Sequence, residues 1–381
     1  MDMDFSDIAP YTDEEARAAL ARIANHPNVP WVSKYIFPNR KETYLRDKLL
    51  NIKSVDDFQS SIMSEAIEWV IANTVHNFSY DGLSKIQALD RTFLAMSNHR
   101  DIILDPAFTQ IVLYRNKMPL TQIAVGDNLL KSKAVELLIR SNRMIKVIRG
   151  ISARELYLSS KILSEYIRQT ITSGTGSVWI AQRQGRTKNG LDITEQGLLK
   201  MFDMSGTGDF VQNFMELCIV PLSISYEFEP CDILKAREVL ISRTQKYEKT
   251  ENEDLQSIMV GIKQWKGNVH LNIGDPLTED EIREASFCDK NDRYQSIRHA
   301  VDRRIIGGYR LWKTNYMAYD IVENTTKFAD RYSLTELEAF KAYINHQLDM
   351  VEPELNRDEL KDILLRIYSN PVSAKLELAA K

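Results

Sequence analysis

The stretch SNHRDIILDPAF, residues 97–108, sets a histidine between an asparagine and an arginine, with Asp101 two and Asp105 six positions beyond it. An imidazole titrates near neutrality, and a carboxylate bonded to one ring nitrogen fixes the tautomer and leaves the other nitrogen as a base. Either aspartate could serve His99 in this way. The apolar run TFLAM directly precedes the segment, so His99 falls where a loop leaves the carboxyl end of a predicted strand, a common position for chemistry. The other histidines, His26, His76, His270, His299 and His346, have no such setting and read as structural.

Cations form the second resource. Between residues 131 and 190 there are twelve Lys/Arg against Glu136, Glu155 and Glu165, although the chain as a whole carries a net charge of −4. Such a window favours an anionic ligand or an anionic lipid surface, and the same charges could equally be solvated helix faces. Nucleic acid is not expected as a partner, because the window holds no nucleic-acid motif and the whole chain is acidic. The letters HRD do not make a kinase: Pro106 stands where the catalytic-loop asparagine belongs, and no DFG follows. The two SGTG segments lack the Gly-Lys-Ser/Thr ending of a phosphate-binding loop and read as turns.

Three regions must position these groups. Residues 1–85 read as helical, with DEEARAALARIA and DDFQSSIMSEAIEWVIANTVH carrying apolar residues at helical spacing behind acidic starts. Residues 86–280 alternate short apolar runs (TFLAMS, TQIAVG, MIKVIR, SVWIAQ, CIVPLSISY, NVHLNIG) with helical stretches. That pattern predicts an α/β domain with a mixed, mainly parallel sheet flanked by helices. Residues 281–381 read as a helical C-terminal extension.

The chain has 381 residues, 44% hydrophobic and 27% charged, as expected of a globular protein of one large or two smaller domains. Cys218, Cys231 and Cys288 are odd in number and widely spaced, which suggests neither disulfides nor a zinc site. The acidic start does not read as a signal peptide, and no apolar run approaches the ~20 residues of a transmembrane helix.

Five further blocks follow His99 in order: GDNLL (126–130), RMIKVIRG (143–150), SVWIAQRQGRTKNG (177–190), IVPLSISYE (219–227) and VHLNIGDP (269–276). With SNHRDIILD they resemble the glycerolphosphate acyltransferase superfamily over residues 90–280, closer to its bacterial glycerol-3-phosphate acyltransferase branch than to the short lysophosphatidate acyltransferases. The resemblance implies that His99 is the general base taking a proton from a glycerol hydroxyl as it attacks an acyl thioester, so that no enzyme nucleophile is needed. The family's partner carboxylate follows the histidine after four intervening residues. Here that place is Leu104 and the acid comes one later, so either the turn absorbs a residue and Asp105 is the partner, which is the favoured reading, or Asp101 replaces it.

The same resemblance puts Arg149 at the family's phosphate-binding arginine and Arg186 at the arginine of its EGxR block, with Thr187 and Lys188 beside it. The glutamate of that block is absent: strict spacing gives Arg183, and Gln184 before Gly185 is the nearest substitute for orienting the acceptor. Pro221 matches the proline of the fourth block, whereas Tyr226 and Glu227 read as packing and surface. The implied reaction moves a fatty acyl group from acyl-CoA or acyl carrier protein to glycerol 3-phosphate or 1-acyl-glycerol 3-phosphate, with no metal or organic cofactor. It implies work at the cytoplasmic face of a membrane, held peripherally through the basic window or, second, through Arg303–Tyr319, where aromatics mix with cations. Two alternatives stand beside it: a lipid- or phosphate-binding protein of this fold that has lost its chemistry, and an acyltransferase for another lyso-lipid.

Overall fold

The computed structural model describes residues 4–130, 132–149 and 152–380, so Lys131, which opens the basic window, and Gly150, which closes the Arg149 block, lie outside the described residues. Seven strands, β1 (Val75–Asp81), β2 (Leu94–Ser97), β3 (Gln122–Gly126), β4 (Met144–Val147), β5 (Val178–Ala181), β6 (Ile219–Tyr226) and β7 (Gly267–Ile273), form one sheet in the order β1-β7-β6-β2-β5-β3-β4. Neighbours are parallel except β6 and β7. The carboxyl ends of β6, β2, β5, β3 and β4 therefore meet at one rim.

Side-chain alternation explains how the central strands β2, β5 and β6 are buried on both faces. Leu94 and Met96 of β2, with Val178 and Ile180 of β5, enter one apolar layer, and Ala95 and Trp179 enter the other. Helices cover both layers. The helix Ala153–Thr172 closes the first through Leu163, Ile167 and Ile171, and Leu104–Arg115 closes the second through Phe108, Ile111 and Val112.

One sequence expectation is corrected. Residues 75–81, placed in the helical N-terminal region, are strand β1, hydrogen-bonded in parallel to β7. The helix ahead of it ends at Thr74, and Val75 and Phe78 then suit a pleated edge. The ladder that holds them comes from a strand far along the chain, and no local periodicity reports it. The C-terminal run through DRYQSIRHAVDRRIIGGYRLW also divides, into helices Asp292–Gly307 and Lys313–Val322. Helices Lys313–Val322, Leu334–Leu348 and Arg357–Ala379 share an apolar cluster with Asp232–Ser242, so the C-terminal helices pack against the α/β region itself.

Candidate active site

His99 stands one residue beyond Asn98 at the carboxyl end of β2, with a side chain 14% exposed. Its Nδ1 lies 3.0 Å from Asp105 Oδ2. The same carboxylate oxygen accepts the backbone N–H groups of Arg100 (2.6 Å) and Asp101 (2.8 Å), and its partner oxygen accepts the Tyr226 hydroxyl (2.8 Å). Four donors thus hold Asp105 as an acceptor at Nδ1, and among the described residues no group bonds Nε2. Burial, followed by the charges of Asp105 and Asp101, drives the Tyr226 phenol well above its ordinary value, so it remains a donor. Tyr226, expected to be packing, in fact reaches the Asp105 carboxylate.

The local sequence explains the placement. Asp101 Oδ1 accepts the N–H groups of Ile103 (3.0 Å) and Leu104 (2.9 Å), ending the turn and starting the helix Leu104–Arg115. Pro106 in the first helical turn has no N–H to leave orphaned, and Asp105 there lies at the favourable end of the helix dipole. Asp101, the alternative partner, is engaged in this turn, and the carboxylate that faces His99 is Asp105. The turn absorbs the extra residue.

A buried charge network lies behind the turn. Asp192 Oδ2 accepts Arg100 Nε (3.1 Å) and Nη2 (2.7 Å), the Tyr309 hydroxyl (2.6 Å) and Asn98 Nδ2 (3.0 Å); Oδ1 accepts Thr187 (2.6 Å). Burial pushes the Asp192 carboxyl up, but Arg100 and these donors outweigh it, leaving it below its ordinary value. Lys235 Nζ donates to the Arg100 carbonyl (2.5 Å) and to Glu229 (2.7 Å). Tyr309, with Ile305, Met317 and Ala318, is buried core, whereas Arg303, Arg310 and Lys313 of the same segment stay exposed. Neither Arg100 nor Asp192 stands out in the sequence, since nothing local links residues so far apart.

The cations expected to meet phosphate divide. The loop after β5 is tied to the base by the Thr187 N–H, which donates to the His99 carbonyl at 2.7 Å. Arg186 beside it is buried; Nη2 donates to Ser257 (3.1 Å), and Nη1 has no hydrogen-bond partner among the described residues. Arg149, half-buried beyond β4, donates weakly to Asn128 (3.3 Å). Burial works against its charge, partly offset by Asp127, Glu195 and Asp254. Lys188 is different: its ammonium is ion-paired with Glu238 on the helix Asp232–Ser242, so it is not a free cation of this site.

Gln184 is exposed, and Gly185 turns with φ +72°, a conformation that favours glycine. The Gln184 N–H donates to Glu195 Oε2 at 3.1 Å, so a carboxylate does reach this loop, supplied by a residue that the sequence reading passed over. Much of the basic window is likewise internal: Arg140 bonds the carbonyls of Ala9 and Ser6, Arg143 pairs with Asp56, and buried Arg168 binds Glu216 and two carbonyls.

No protein-family profile matches the chain. Dihydroxyacetone phosphate acyltransferases from Bos taurus and Homo sapiens are 25% and 24% identical over 201 residues, 52% of this chain and 28% of theirs. That of Mus musculus is 23% identical over 224 residues, 58% of this chain and 31% of its own. The sheet is mixed and mainly parallel, flanked by helices and with helical extensions at both ends. Among solved structures, the 1-acyl-sn-glycerophosphate (LPA) acyltransferase PlsC from Thermotoga maritima aligns with it at TM-score 0.39 and 13% identity, covering 77% of this chain and 94% of that one. The chain spans less than a third of the length of the curated relatives it matches.

Proposed function

We propose that this chain belongs to the glycerolphosphate acyltransferase superfamily and transfers a fatty acyl group from a thioester, acyl-CoA or acyl carrier protein, to a hydroxyl of glycerol 3-phosphate or 1-acyl-glycerol 3-phosphate. The observation that carries the reading is the His99–Asp105 pair, 3.0 Å apart, at the rim shared with Arg149 and Arg186. His99 Nε2 takes the proton of the acceptor hydroxyl as its oxygen attacks the thioester carbonyl. Asp105 steadies the imidazolium. The tetrahedral intermediate collapses, the C–S bond breaks, and the imidazolium returns its proton to the leaving thiolate. Arg186, with one buried guanidinium nitrogen unpartnered, and Arg149 would hold the acceptor phosphate and aim the hydroxyl.

The reading needs no metal or organic cofactor, and it sets the chain at the cytoplasmic face of a membrane. No helix among the described residues is long and apolar enough to cross one. The name of the curated relatives adds dihydroxyacetone phosphate to the acceptors worth testing. One observation favours a second reading, a lipid- or phosphate-binding protein without turnover: Arg183 stands where the superfamily pattern has a glutamate, and its neighbour Gln184 supplies no negative charge.

The deciding experiment offers purified protein each labelled acceptor with each donor. Transfer to a phosphorylated acceptor is expected, with the acceptor KM raised at least tenfold in Arg186→Ala. Equal transfer to acceptors with and without phosphate would instead point to another lyso-lipid; phosphate binding with no transfer would point to the binding protein.

Gly126 offers a finer test. A Cβ there would lie 2.6 Å from Arg149 Cζ and 2.5 Å from Asn128 Oδ1, both ends of movable side chains. Gly126→Ala should therefore leave the melting temperature nearly unchanged while pushing Arg149 aside, raising the acceptor KM several-fold with kcat little altered. An unchanged KM in steady-state kinetics would remove Arg149 from the phosphate site.

A further inference from the structure

Two helices begin just past the carboxyl ends of the adjacent strands β3 and β4, and both leave apolar side chains in solvent. Lys133–Arg140, sequence KAVELLIR, has no buried residue, and its Val135 and Leu138 are 37% and 38% exposed. The helix Ala153–Thr172 opens with Leu156, Tyr157 and Leu158 at 46%, 60% and 49%, and its first buried residue is Leu163. Consecutive apolar side chains on exposed turns are costly in water and mark a surface that is covered in use.

Cations choose the occupant. Lys133, Arg154 and Lys161 are exposed on these two helices, and Arg149 stands on the connection between β4 and the second. From Ser132 to Lys161 there are seven Lys/Arg against Glu136 and Glu155; with Arg140 and Arg143 engaged elsewhere and Lys133 paired with Glu136 at 3.0 Å, Lys146, Arg149, Arg154 and Lys161 remain, in a chain whose net charge is −4. Apolar residues set among outward cations fit an anionic bilayer, where the apolar atoms enter the headgroup boundary and the cations meet lipid phosphates. We propose that the opening turns of Lys133–Arg140 and Ala153–Thr172 form the surface by which this protein docks on anionic lipid. The inference deepens the acyltransferase reading and rests on it for its purpose: an acylated product would leave into the bilayer beside Arg149.

The test measures sedimentation of the full chain with phosphatidylcholine vesicles and with equimolar phosphatidylcholine/phosphatidylglycerol vesicles. Wild type is expected on the anionic vesicles only. The triple variant Leu156→Ser/Tyr157→Ser/Leu158→Ser, the single variant Leu138→Ser and the pair Arg154→Glu/Lys161→Glu should each weaken that binding, the triple by about tenfold or more. Phe287→Ser, which removes an apolar residue 81% exposed outside these helices, should not. Melting temperatures should match wild type, since every altered side chain is exposed, and Leu138→Ser gives a minimal change if the triple variant unfolds. Anionic-vesicle binding equal in wild type and variants overturns the proposal, as does wild type that binds no vesicle. A concentration-dependent dimer lost in the triple variant without vesicle binding also overturns it, in favour of a second copy of the chain. Transfer to a water-soluble acceptor, measured in parallel, separates the two readings: patch-dependent docking without transfer sinks only the enzyme, and transfer with patch-independent docking sinks only this surface.

Discussion

His99→Ala is expected to lower acyl transfer by about a hundred- to ten-thousand-fold, the range for loss of a general base, while far-UV circular dichroism and acceptor binding stay as in wild type. The side chain is largely enclosed yet, among the described residues, makes a single side-chain hydrogen bond, to Asp105, so its removal leaves the turn intact. The turn is built instead by Asp105 and Asp101 on backbone N–H groups. Asp105→Asn should cost about a hundredfold in kcat, because an amide keeps the shape but has one acceptor oxygen for four donors and no charge to stabilise the imidazolium. Tyr226→Phe removes only one of those donors and should cost a few-fold. If His99→Ala retained more than a tenth of wild-type kcat in single-turnover kinetics, another group would have to be the base.

Asp192→Ala should produce the largest loss of stability, about 3–5 kcal/mol, the usual cost of leaving one member of a buried ion pair alone. Its carboxylate takes two bonds from Arg100 and one each from Tyr309, Asn98 and Thr187. Glu229, 3.6 Å from Arg100, only partly replaces it. The sign of the pH dependence follows from the depressed carboxyl of Asp192 in the fold. A group lower in the folded than in the unfolded state binds more protons unfolded, so its contribution is fully present above the unfolded value of about 3.9 and is lost as pH falls below it. The urea midpoints of wild type and variant should therefore differ most near neutral pH and converge in acid. A difference under about 1 kcal/mol at pH 7 would show that Arg100 is solvated or compensated elsewhere. Since Asn98, Arg100 and Thr187 flank His99 and its loop, activity should fall with stability.

The six apolar runs of the α/β region could be read directly: β2, β5 and β6 are buried on both faces and so apolar along their length, and the others are short apolar runs between helical stretches. Strand β1 could not: its edge pairs with β7, and a single buried valine leaves no local signature. The identity of His99 and the presence of acids after it were likewise plain from residue type. Which acid turns inward depends on how many residues a turn takes up, and that is decided by Asp101 capping the helix Leu104–Arg115.

Charge is the clearest case of what folding alone decides. Sequence counting treats every lysine and arginine of the window as equally available, yet Arg140, Arg143, Arg168 and Lys188 are engaged by distant acids or carbonyls. Arg149 and Arg186 keep unfilled donor capacity near the rim, and Arg154 and Lys161 stay in solvent. Residue order determined strands β2 to β7, the histidine and the supply of cations, since these follow from side-chain chemistry and local spacing. Tertiary structure alone determined that Asp105 faces the histidine, that Tyr226, Asp192 and Glu195 enter the site, and which cations remain for a ligand, because each of those depends on a partner brought in from elsewhere in the chain.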